Sequence, residues 1–143
     1  MVRRLIILSI LISLSSTAIS CSFPGEEEIE FEPKDTTLGI TKAQALAHKF
    51  IKWRDEMGIG SISISSYSIE NNAHSTALSL ERMDNILRII NSLNKNNAPI
   101  EINKPITIRP HTPTEFLSNF AVIIVQPACI KTNICCPSLD QHK

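Results

Sequence analysis

The sequence predicts an α+β fold, two helices packed on one small mixed sheet in the order β-α-β-α-β-β, giving a two-layer sandwich. Three observations carry this. Residues 28–32 and 60–69 alternate apolar with polar residues at period two. Residues 41–58 and 76–95 repeat apolar residues at intervals of three and four, the spacing of one helix face. Residues 120–127, "FAVIIVQP", form a continuous β-rich apolar run. With 143 residues, 43% of them hydrophobic and 20% charged, the chain suits one modest domain and is too apolar to be wholly disordered.

Each element has a local cause. In "EIEFE", Ile29 and Phe31 fall on one face and Glu28, Glu30 and Glu32 on the other, a short half-buried strand. Leu46, Phe50, Trp53 and Met57 make the stripe of the first helix, with Thr41 placed to cap it and Gly58 placed to stop it. His48 falls off that stripe. "GSISISSYSI" directs Ile62 and Ile64 inward and leaves a serine-rich face with no His or Asp pattern to activate a nucleophile. In the second helix Met83, Ile86, Leu87, Ile90 and Leu93 form the buried face, Ser75 is the expected cap, and Glu81, Arg82, Asp84 and Arg88 lie outside or at its rim. Ile100 and Ile102 open a strand that can continue through Ile106 and Ile108, and "HTPTEFLSN" is a loop before the last strand.

The amino terminus reads as an export signal. Arg3 and Arg4 precede an apolar core from Leu5 to Leu14, too short for a membrane span, and "SSTAIS" follows. Ala18 and Ser20 suit general signal cleavage before Cys21, which leaves plain secretion open. The segment "AISC" also resembles a bacterial lipobox, with Ala18 where that family usually carries Leu. The resemblance implies that Cys21 is the lipid attachment site and the new amino terminus. The expected organisation is a signal peptide at 1–20, a lipid-proximal acidic tether at 21–27, one α+β domain at 28–128 and a cysteine-containing tail at 129–143.

Charge and cysteines narrow the function classes. Net charge is zero and Lys and Arg are scattered, so no nucleic-acid partner is expected. The acidic run Glu26 to Glu28 lacks the loop glycine and further carboxylates of a calcium site and reads as a solvated linker. In an exported chain Cys129, Cys135 and Cys136 are disulfide candidates, Cys129 bonding Cys135 or Cys136. A zinc set with His142 matches no knuckle or ribbon spacing. No metal, cofactor or catalytic residue is expected.

Two families resemble the assembled pattern. "EIEFEP", the first helix and serine strand, "LERMDNILRIINSLNKNNAPIEI" and "FLSNFAVIIVQPAC" with Pro127 and Cys129 resemble the CpaD-type lipoproteins of tight-adherence pilus machines. That resemblance implies a non-catalytic assembly or piloting component, lipid-anchored on the periplasmic face of the outer membrane, with a protein partner such as a secretin. No Gly-Asp-Trp follows Cys129, where that family carries it. "LSLER", with Leu78, Ser79 and Arg82, resembles the "LSxxR" motif of OmpA-like peptidoglycan-binding domains. It implies that Arg82 holds the carboxylate of diaminopimelate, a task suited to a bidentate guanidinium. The family's helping Asp has no counterpart, because the preceding loop offers only Glu70.

Cys21 yields a direct test. Cells expressing the full chain and fed a palmitate analogue should label it, and Cys21→Ser should take up no label; an unlabelled wild type would remove the lipid anchor.

Overall fold

The alternating run Ile59–Ile69 forms β2, the longest strand, and the other strands are arranged around it. The computed structural model describes residues 25–132. Their elements are β1 (Glu26–Glu30), α1 (Ile40–Met57), β2, α2 (Ala73–Leu93), β3 (Ile100–Ile102), β4 (Ile106–Ile108) and β5 (Phe120–Pro127). Two 3-10 turns, Glu115–Asn119 and Ala128–Thr132, flank β5. The sheet order is β1-β5-β2-β3, with β4 also paired to β2. β5 is antiparallel to β1 and β2, whereas β3 and β4 both run parallel to β2. This is the expected mixed sheet with two helices.

The inward faces meet in one core. Ile62 and Ile64 of β2 and Ala121, Ile123 and Val125 of β5 pack with Leu46, Phe50 and Trp53 of α1 and Met83, Ile86 and Ile90 of α2. Met57, Leu87 and Leu93 pack at the margin, partly buried. Each aliphatic side chain fully removed from water contributes about 1.5–3 kcal/mol, so these faces supply the main drive to fold. Beyond Ile64 the inward positions of β2 become Ser66 and Ser68, both buried, and α2 brings Ser75 and Ser79 to the same region.

Several boundaries differ from the sequence reading, each for a local reason. β1 begins at Glu26, because Glu26 and Glu27 pair with Ile124 and Ile123 of β5 and the Glu27 carboxylate meets the Lys49 ammonium. Those acidic residues, read as linker, therefore belong to the sheet. Phe31 is buried as expected but lies just past the strand. The residue before α1 is Gly39, with no side-chain cap; Thr41 already lies inside the helix. α2 is capped by Asn72, whose Oδ1 accepts from the Ser75 amide at 2.9 Å. Ser75 thus sits in the first turn, and its Oγ accepts from the Ile69 amide at 2.9 Å, tying strand end to helix start.

The strand expected from Ile100 to Ile108 is split. The Asn103 amide donates to the Ile64 carbonyl at 2.9 Å, and Pro105 then has no N–H to continue the ladder. β4 begins at the next residue, Ile106, against Tyr67, Ser68 and Ile69.

Gly58 ends α1 at φ 64° and ψ 154°, a conformation essentially restricted to glycine, while its N–H bonds the Arg54 carbonyl at 3.2 Å. Gly58→Ala should lower stability by about 1–3 kcal/mol. Gly39→Ala, at φ −59° and with nothing within 4 Å of the added carbon, should stay within about 0.5 kcal/mol of wild type. Urea midpoints of the two variants check this contrast.

Candidate functional site

Arg82 stands on the inward side of α2 between Ser79 and Met83 and is only 1% exposed. This corrects its expected place at the rim of the helix. The period of the helix could not show that two distant segments close over this residue. Nε donates to the Asp35 carbonyl at 2.7 Å, Nη1 to the Ser118 carbonyl at 2.7 Å and Nη2 to the Glu32 carbonyl at 3.2 Å. The guanidinium carbon also lies 5.0 Å from the centre of the Phe31 ring. One turn further along α2, Asn85 Nδ2 donates to the Thr36 carbonyl at 2.9 Å. α2 therefore pins the β1–α1 loop and the turn Glu115–Asn119 through main-chain carbonyls.

Burial lowers the Arg82 pKa, and the nearby Asp35 charge opposes that shift. An arginine starts so high that it remains a cation at neutral pH. The guanidinium has five N–H donors and three carbonyl partners in this arrangement.

Beside it lies a cavity of about 220 Å³. Lys34, Asn72, His74, Ser75 and Asn119 line it with Arg82, and Leu78 and Ile69 give it an apolar wall. Lys34 is held at φ 73°, in the left-handed region that a long side chain rarely adopts. No lining residue is an aspartate or glutamate, so the charged side chains at the cavity, Lys34 and Arg82, are cationic. Glu70, the acidic residue of the loop before α2, is exposed and lies outside this lining, its amide donating to the Ile108 carbonyl at 2.7 Å.

Of the "LSLER" residues, the structure brings Leu78 and Arg82 to the cavity. Ser79 points into protein, fully buried, and its hydroxyl is the buried side-chain polar atom without a partner among the described residues. Lys34, Asn72, His74 and Asn119 were not singled out in the sequence; Asn72 alone carried a signal, as an Asn just ahead of a helical pattern.

Cys21, Cys135, Cys136 and His142 lie outside the described residues, and Cys129 sits in the turn Ala128–Thr132. On the serine face, Ser61 donates to Gln126 at 3.0 Å and Asn103 donates to Ser63 at 2.7 Å. Among the described residues no cluster of His, Cys, Asp and Glu could hold a metal ion, and no helix is long and apolar enough to cross a membrane.

No protein-family model and no curated protein matches the chain. Solved structures do. The OmpA-like domain of FopA1 from Francisella tularensis matches with a TM-score of 0.51 at 13% identity, over 72% of this chain and 75% of that one. The peptidoglycan-associated lipoprotein from Burkholderia pseudomallei matches with a TM-score of 0.50 at 15% identity, over 69% of this chain and 89% of that one. At such identities the likeness is one of fold: the chain shares the fold of OmpA-like domains. The CpaD-type resemblance has no counterpart in these two structures.

Removing the guanidinium would take the donor from the Asp35 and Ser118 carbonyls, while the Glu32 carbonyl would keep the Asp35 amide at 3.0 Å. Arg82→Ala should cost about 3 kcal/mol or more, and Arg82→Lys, which cannot fork to three acceptors in a plane, should fall between it and wild type. Urea midpoints at neutral pH measure both.

Proposed function

We propose that this chain is a non-catalytic module of the bacterial cell envelope that binds peptidoglycan through a carboxylate of its stem peptide. The cavity beside Arg82 is the seat. One observation carries the reading: in a fold shared with OmpA-like domains, a buried arginine stands under a cavity that also gathers Lys34 and His74 and holds no acidic side chain. Arg82 supplies a fixed positive charge in a low-dielectric setting, where it acts on an anion more strongly than a solvated lysine does. Lys34 and His74, both exposed, are free to close on the ligand. The peptidoglycan-associated lipoprotein that shares the fold supports a wall ligand.

In the same proposal lipid on Cys21 holds the domain at the periplasmic face of the outer membrane, so the module links membrane to wall. The multiply acylated cysteine of a lipoprotein anchors stably where a single chain does not. The tight-adherence pilus role is the finer alternative. The described surface carries no feature that selects a secretin or pilus subunit over another protein partner.

Co-sedimentation with purified sacculi tests the reading. The wild-type chain should pellet with them. Lys34→Glu combined with His74→Glu, with its circular dichroism unchanged, should bind at least about tenfold more weakly, since one cation is lost and two carboxylates face the ligand's own. Wild-type protein that stays in the supernatant would sink the proposal.

A further inference from the structure

The lining of the Arg82 cavity sets a second condition on its ligand. A free amino-acid end brings an ammonium within a few ångströms of its carboxylate, and a site that takes both groups needs an anion for one and a cation for the other. Here the charged side chains are of one sign, Lys34 and Arg82, with no carboxylate among the lining residues. Asp35, whose charge acts on Arg82, lines a different cleft, beside the start of α1 with Glu30 and Glu32. Glu70 lies outside the cavity lining. The remaining polar groups, Asn72, Ser75, Ser118 and Asn119, are neutral and suit an amide better than an ammonium.

We infer that the cavity selects a carboxylate whose neighbouring amine is acylated, the form in which the stem-peptide amine is blocked by an amide bond, over the form with a free ammonium. This rests on the wall-binding reading above and narrows it. Acylation removes the charge that Lys34 and Arg82 repel and leaves the carboxylate they attract. In a wall, such ends mark cross-linked peptide rather than free peptide.

Sacculi treated with acetic anhydride, which acylates free amines, provide the test against untreated sacculi. The full-length chain should bind the acetylated material at least about fivefold more tightly. Asn119→Asp places one carboxylate in the cavity while leaving the Asn119 main-chain carbonyl free to accept from the Phe31 amide, and it should reverse the preference. Equal or weaker binding to acetylated sacculi, with untreated sacculi still bound, would overturn the inference and leave the wall-binding reading standing. Binding to neither preparation would remove both.

Discussion

The arrangement of this domain depends on one buried cation. Arg82 gives its donors to the carbonyls of Glu32, Asp35 and Ser118, which belong to segments far apart in the chain. Burying a guanidinium is costly unless its donors are met, and here main-chain oxygens meet them while the Phe31 ring covers a face. Because carbonyls rather than carboxylates accept, the cation is hydrogen-bonded without being fully neutralised. A structural clamp and a source of positive potential are thereby combined in one side chain. The cavity beside it inherits that potential.

The sheet explains why the clamp lies where it does. β5 sits between β1 and β2 and leads directly out of the turn Glu115–Asn119, so the Ser118 carbonyl is carried on the shoulder of a central strand. β1 delivers Phe31 and Glu32 from the other side. At this end of the sheet β2 turns inward small residues, Ser66 and Ser68, opposite Ser75 and Ser79 of α2. The apolar core is thus concentrated toward Ile62, Ile64 and Phe50, while the end near the cavity is built from hydroxyls and carbonyls. The apolar core and the Arg82 cavity occupy different ends of the same two layers.

The sheet edges are guarded against pairing with other chains. β1 places Glu26, Glu28 and Glu30 on its exposed side, and charges on an edge strand oppose stacking by a second sheet. The opposite edge is made of two three-residue strands separated by Pro105 and flanked by Pro99 and Pro110. Neither edge offers a long run of free donors and acceptors. This focuses attention on side-chain chemistry at the cavity rather than on strand addition.

Periodicity made most of the fold legible. Ile62 and Ile64, Leu46, Phe50 and Trp53, and Met83, Ile86 and Ile90 are buried as their spacing implies, because alternation and the helical repeat are recorded locally by each segment. The order of elements and the two-layer class follow from the same record. The caps were less legible: Asn72 displaced Ser75 because capping depends on where the chain leaves β2, not on residue type alone. What only the tertiary structure decided is the strand order β1-β5-β2-β3, the break at Pro105 and the fate of Arg82. On a helical wheel that arginine is a polar residue beside an apolar face. It becomes the centre of the site only when carbonyls of residues 32, 35 and 118 converge on it, and such convergence of main-chain groups leaves no mark in side-chain sequence.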